Sequence, residues 1–283
     1  MRQPRRPGAG WLLLPSGFWY ALFLVAPLVV LAVISLGVRS PNGGYSPALT
    51  AEQYASLATR FTPFTNTIVL AFAGTIMCLL VGFPLAYVLA TRAGSWKTVL
   101  MALIVIPLWT SFLIRTYAWM FILGSNGVPK VLEAFGFDVQ LLNTPFAVLL
   151  GIVYNYLPLM ALPIYVSLER LDRSFIEASR DLGAGPFATF RQITVPLSAP
   201  GVVSGCLLVF IPVMGEYLIP VLLGGGKTYF LGNALADLFL QSRNWPFGAA
   251  LGSAFVAFML LVVGVYAWVV RRLTDQGRES SLL

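Results

Sequence analysis

Residues 67–90 read TIVLAFAGTIMCLLVGFPLAYVLA, a run without a single charged side chain. A helix needs about 20 mostly apolar residues to cross the hydrocarbon core of a bilayer. This stretch meets that requirement, and five others repeat it: Phe18–Gly37, Val99–Leu123, Phe146–Leu168, Gly201–Leu222 and Phe247–Val270. Composition agrees. The 283 residues are 58% hydrophobic and 10% charged, with a mean hydropathy of +0.82, whereas soluble domains carry about 25% charge. The expected architecture is all-α: a polytopic membrane bundle of about six transmembrane helices, forming a single domain over 1–283. Arg2, Arg5 and Arg6 before the first run resemble a secretory leader. The run is longer than a leader's apolar region, and no small-x-small cleavage site follows, so it is read as a retained span.

The formal charge of +7 and the absence of histidine narrow the function. His-based catalysis and His-ligated metal sites are excluded, and in a membrane chain the positive charge bears on topology rather than on nucleic acid. Twelve basic residues fall on one set of segments: Arg2, Arg5, Arg6, Arg92, Lys97, Arg170, Arg173, Arg180, Arg191, Arg271, Arg272 and Arg278. Five fall on the other: Arg39, Arg60, Lys130, Lys227 and Arg243. Both termini and the loop 169–199 are therefore expected in the cytoplasm, and the loops 39–65, 124–145 and 223–246 outside. Cys78 and Cys206 lie in apolar runs and read as small packing residues. Pro27, Pro84, Pro107, Pro158, Pro163, Pro212 and Pro220 sit inside the spans. Each removes a backbone donor and can bend its helix.

The loop 169–199 is the longest expected inner loop and reads as structured. Ser174 and Glu177 have capping-box spacing, so a helix is expected to start there. Gly183 suits the position after a helix end, and Pro186 the first turn of a second helix. Phe187, Phe190 and Ile193 recur at three-residue steps, and Pro196 and Pro200 are expected to stop that helix before the fifth span. Two short helices with apolar side chains facing the cytoplasm form a patch that calls for a partner.

Glu177-Ala178-Ser179, three residues, Gly183, nine residues and Ile193-Thr194-Val195-Pro196 resemble the EAA signature of ABC importer permeases. The family's pattern is EAA, three residues, Gly, nine residues, I-x-L-P. Ser179 stands where alanine is usual and Val195 where leucine is usual. Further runs resemble the spermidine/putrescine branch of that superfamily: Arg115–Trp119, Thr144–Val148 with Tyr154–Pro158, Gly215–Pro220 and Asn244–Gly248. The resemblance implies a five-helix core with a preceding helix in a bacterial inner membrane. It implies a coupling helix docking on a cytoplasmic ABC ATPase, present in two copies. Glu177, Ala178, Ser179, Gly183, Phe187, Ile193 and Pro196 would carry that contact. It further implies a second, related permease subunit and an external binding protein that delivers the substrate. Permeases for phosphonates, opines or iron chelates carry similar runs. A secondary transporter working without an ATPase is disfavoured by the EAA loop, and a membrane-embedded enzyme by the lack of a nucleophile with a base.

Gly224-Gly225-Gly226-Lys227-Thr228 imitates part of a P-loop. The full motif needs a glycine at Val221, and this segment is expected outside, so it reads as a loop tip. The chain is thus expected to bind no cofactor; ATP and Mg²⁺ belong to the partner ATPase. Within the spans, Arg115 and Glu216 are ionisable, which costs about 2.5–3.5 kcal/mol at a helix centre on insertion scales. Two readings stand open. Glu216 lines the path and meets a cationic amine, or Arg115 and Glu216 pair with each other or sit at the interface as anchors. In the first case Glu216→Gln impairs cation transport. Tyr117, Trp119, Tyr154 and Tyr217 supply aromatic faces for an ammonium group or serve as ordinary interfacial aromatics.

Overall fold

The structure, a computed structural model, describes residues 9–57 and 61–279. Arg2, Arg5, Arg6 and Arg60 lie outside the described residues, as do the side chains of Arg173, Arg271, Arg272 and Arg278. In chain order the elements begin with α1 (Ala9–Tyr20), α2 (Ala26–Ser35), β1 (Val38–Arg39), β2 (Tyr45–Ser46) and α3 (Glu52–Leu57). The central run is α4 (Thr62–Thr91), α5 (Lys97–Trp109), α6 (Phe112–Leu123), α7 (Val128–Glu133) and α8 (Pro145–Glu169). Then come α9 (Arg173–Asp181), α10 (Pro186–Thr189), α11 (Val195–Met214), α12 (Leu218–Gly224), α13 (Leu231–Ala236) and α14 (Trp245–Glu279). Among the described residues, five helices are long and apolar enough to cross a membrane, and six if a bent pair counts as one span.

The chain divides into two units, one from residues up to Phe61 with Ala234–Leu260, the other from Thr62–Asn233 with the segment from Leu261. In the first, α1 and α2 join through a π turn at Ala21–Val25, so that Pro15–Ser35 forms one apolar helix. A Pro27 lacking its N–H leaves the carbonyl four residues back without its usual donor, and the widened turn accommodates this. The antiparallel hairpin β1–β2 follows. Arg39 Nη2 donates to the Ser242 carbonyl at 2.7 Å, and the Gly44 amide to the Arg243 carbonyl at 2.7 Å.

In the second unit α4, α8 and α11 pack against one another, with α8 in the most extensive contact with the other two. Hydrophobic burial gives no drive between helices in lipid, so close backbone approach at small residues matters most. At Gly201 a Cβ would stand 2.6 Å from the Pro163 carbonyl oxygen, and at Gly205 2.9 Å from that of Met160. Only glycine lets α11 lie this near α8. Gly205→Leu is expected to lower the melting temperature and yield of the purified complex, at a cost of about 1–3 kcal/mol or more. An unchanged melting curve would show that α8 and α11 pack differently. Ile152, Met160 and Ile164 on α8 and Val209, Val213 and Met214 on α11 are fully buried in this core.

Two span expectations need correction. The third, 99–123, is broken: Gly94–Trp109 and Phe112–Glu133 meet at 98°. Thr110 and Ser111 are extended, with ψ of 150° and 132°, three residues after Pro107. The fifth, 201–222, ends at Met214; Gly215 and Glu216 interrupt it and α12 restarts at Leu218. At its other end the helix is longer than expected, running unbroken over Pro186–Met214. Pro196 and Pro200 do not stop it. A π turn at Phe190–Thr194 widens the helix just where Pro196 withdraws its N–H, and Pro196 itself occupies the first turn of α11.

Candidate functional site

The α9–α10 hairpin carries the first part of the signature, Glu177 to Gly183, and Ile193–Pro196 fall in the π turn and first turn of α11 that follow it. Its first helix starts earlier than the capping-box spacing suggests. Asp172 is the N-cap, its Oδ1 accepting the Ser174 amide at 2.9 Å. That amide holds the Asp172 carboxyl below its ordinary value. The cap is therefore fully present above the ordinary Asp value and is lost only as pH falls through the depressed one. Gly183 takes φ +83°, its amide bonds the Arg180 carbonyl at 2.8 Å, and the Ala184 amide bonds the Ser179 carbonyl at 3.0 Å. This is a Schellman ending, which needs a residue that tolerates positive φ. Pro186 opens α10, as expected.

Ser179, the departure from alanine, shares a 3.0 Å hydrogen bond with the Thr189 hydroxyl and so ties α9 to α10. The expected apolar stripe is divided. Phe187 is exposed, while Phe190 packs edge-on against Phe83 and Tyr87 of α4, at 5.8 and 5.4 Å. Glu177 and Ala178 are exposed, Ile193 is half-buried and Pro196 is exposed. Phe175 and Leu182 add to the open apolar surface, Leu182 at 89% exposure. Behind the hairpin a polar cavity of about 640 Å³ gathers Arg92, Lys97, Glu169, Glu177 and Arg180. There Lys97 pairs with Glu169, linking α5 to the end of α8.

The second cluster surrounds Glu216, at the opposite end of the α11 rod. This carboxylate is 7% exposed. Oε1 accepts the amides of Tyr217, Leu218 and Ile219 at 3.1, 3.0 and 3.2 Å, and Oε2 accepts the Tyr156 hydroxyl at 2.5 Å. Glu216 thus caps α12, where free amides and the helix dipole favour negative charge. It does not pair with Arg115. The Arg115 guanidinium lies 5.9 Å from the Phe112 ring, which stands 6.4 Å from the ring of Tyr156. Its Nε and Nη1 are buried without a hydrogen-bond partner among the described residues. Trp119 and Tyr154 meet edge-on at 5.3 Å, whereas Tyr117 and Tyr217 are 49% and 39% exposed. Sequence reasoning missed Tyr156. Its neighbour Tyr154 was the aromatic singled out, and nothing in the local pattern reveals which of the two faces a carboxylate. The break before α12 had a signal, Gly215 with Pro220 close behind.

The P-loop look-alike is a tight turn. Gly225 and Gly226 take φ +63° and +66°, and a Cβ on Gly225 would fall 2.5 Å from Asn143 Oδ1.

Comparison with known proteins agrees with this geometry. Residues 80–275 match the family described as "Binding-protein-dependent transport system inner membrane component". The spermidine/putrescine transport system permease protein PotB of Haemophilus influenzae is 36% identical over 88% of this chain and 89% of its own length. PotB of Escherichia coli is 34% identical over 92% and 97%. Among solved structures, a bacterial ABC transporter that imports the acidic polysaccharide alginate superposes with a TM-score of 0.69 at 18% identity, covering 93% of this chain and 94% of that one. With the family match spanning well over half of its length, this chain belongs to the inner-membrane components of binding-protein-dependent transport systems.

Proposed function

We propose that this chain is one permease half of an ATP-driven importer for a small cationic solute, a polyamine such as spermidine or putrescine. The observation that carries the reading is the α9–α10 hairpin: a capped, Schellman-ended helix exposing Phe175 and Leu182, followed by exposed Phe187 at the start of the continuous helix Pro186–Met214. The relatives named for spermidine/putrescine transport supply the substrate class.

In this reading the hairpin docks on a cytoplasmic ABC ATPase, present in two copies, which binds the ATP and Mg²⁺. A second, related permease completes the path, and an external binding protein loads it. Both termini lie in the cytoplasm, following the basic residues. The 29-residue helix Pro186–Met214 is about 43 Å long at 1.5 Å per residue. Displacement of the hairpin by ATPase closure therefore reaches Gly215, Glu216 and α12 through one stiff element. The extended Thr110–Ser111 link and the Gly215 interruption are the places where backbone angles can change. Motion there shifts the balance between inward- and outward-open states.

The test is uptake. Proteoliposomes containing this permease, its partner permease and the ATPase, supplied with binding protein, are expected to accumulate labelled spermidine or putrescine only with ATP. ATP-independent flux would restore the secondary-transporter reading. ATP-dependent uptake of a phosphonate, opine or iron chelate, but no polyamine, would keep the permease and change its substrate.

A further inference from the structure

At the ends of α4 and α8 remote from the hairpin lies a groove of about 450 Å³, within the size range of small-ligand sites. On α4 its wall is Asn66, Val69, Leu70 and Ala73, one helical face about 10 Å long. Val148 and Leu149 of α8 form the facing wall. The groove is graded. Its floor is hydrocarbon, and its mouth carries Asn143, Thr144, Lys227 and Thr228. None of its lining residues is acidic, and Lys227 makes no salt bridge among the described residues. The Gly225–Gly226 turn, seated on Asn143, fixes where Lys227 leaves the backbone. Val69, at 67% exposure, opens the apolar wall sideways.

The apolar wall, open sideways at Val69, suits a hydrocarbon chain, and the ammonium and hydroxyl at the mouth suit an anionic head. A molecule with both parts satisfies the groove along its whole length, and in a bilayer that molecule is a phospholipid. We propose that this groove holds an anionic phospholipid, its acyl chain along Val69, Ala73 and Leu149 and its headgroup phosphate on Lys227 and Thr228. A lysine near the headgroup level attracts anionic lipid electrostatically, while the apolar wall holds the tail. The proposal rests on the membrane setting of α4 and α8 and is independent of which solute is carried.

The test uses the assembled transporter, with both permeases and the ATPase, in nanodiscs of phosphatidylethanolamine. The discs contain a minor fraction of phosphatidylglycerol or phosphatidylcholine with a photoactivatable acyl chain. After illumination, mass spectrometry of peptides covering 66–73 and 144–149 locates adducts. Phosphatidylglycerol is expected to label them about fivefold more than phosphatidylcholine. Lys227→Glu should remove that preference, and Ala73→Phe, which fills the groove, should remove the label. Both variants must elute as intact complexes. Equal labelling by the two lipids, indifferent to Lys227→Glu, would mean ordinary annular lipid and overturn the proposal. So would a groove unlabelled in the complex because a protein partner covers it.

Discussion

A transporter carrying Leu182→Glu together with Phe187→Glu is expected to lose its ATPase. Both side chains are exposed, at 89% and 75%, so neither change disturbs the packing of the permease itself. Fully burying a Leu or Phe side chain stabilises by about 1.5–3 kcal/mol. Removing two from an interface therefore weakens docking by more than about 100-fold, and two carboxylates in an apolar contact add a desolvation penalty. Co-purification with the ATPase and binding-protein-stimulated ATP hydrolysis are the measurements. Gly183→Asp should act in the same direction by another route. At φ +83° it forces a Cβ into the left-handed region and strains the turn that orients both helices. Wild-type association in the double variant, with intact polyamine uptake, would remove the hairpin from the coupling path.

The second large effect concerns Glu216. Glu216→Ala leaves three backbone amides and the Tyr156 hydroxyl without their acceptor in a buried site. Each unsatisfied buried donor costs about 1–3 kcal/mol, so α12 should detach from its position, with a lowered melting temperature and loss of uptake. Glu216→Gln should behave differently. Its Oε1 can still accept the amides, and its side-chain nitrogen can donate to Tyr156. Uptake near the wild-type level is expected, because the geometry gives the carboxylate a capping task rather than a free oxygen for an ammonium group. Thermal melting and spermidine uptake on the same preparations separate the readings. Loss of uptake in the Gln variant, with unchanged melting, would return Glu216 to the solute path.

Glu216 also marks where sequence reading stopped. An ionisable residue inside a span is visible in the sequence, and so is Arg115. The pairing between them that charge alone suggests is absent, because the amides opened by the break at Gly215 and the hydroxyl of Tyr156 reach the carboxylate instead. Tyr156 comes from a helix 60 residues earlier in the chain, and no local pattern announces that approach. The hairpin was more legible. Gly183, Pro186 and the spacing of the signature foretold two helices with a tight bend, and that is the geometry found. Its details moved by short-range chemistry: Asp172 outcompeted Ser174 for the cap because its carboxylate sits two residues before a free amide.

By itself the sequence determined that this chain lives in a membrane, about how many times it crosses, and where the hairpin with the EAA-like signature lies. Those properties depend on the length of continuous apolar runs and on local backbone preferences at glycine and proline, none of which needs a contact between distant parts of the chain. The tertiary structure alone decided that the third span breaks at Thr110, that Pro196 passes through a π turn instead of ending a helix, and that Glu216 caps α12. The first two turn on how the chain accommodates the donors that Pro107 and Pro196 lack, and the third on the approach of Tyr156; in an apolar medium an unmet backbone group is too costly to leave.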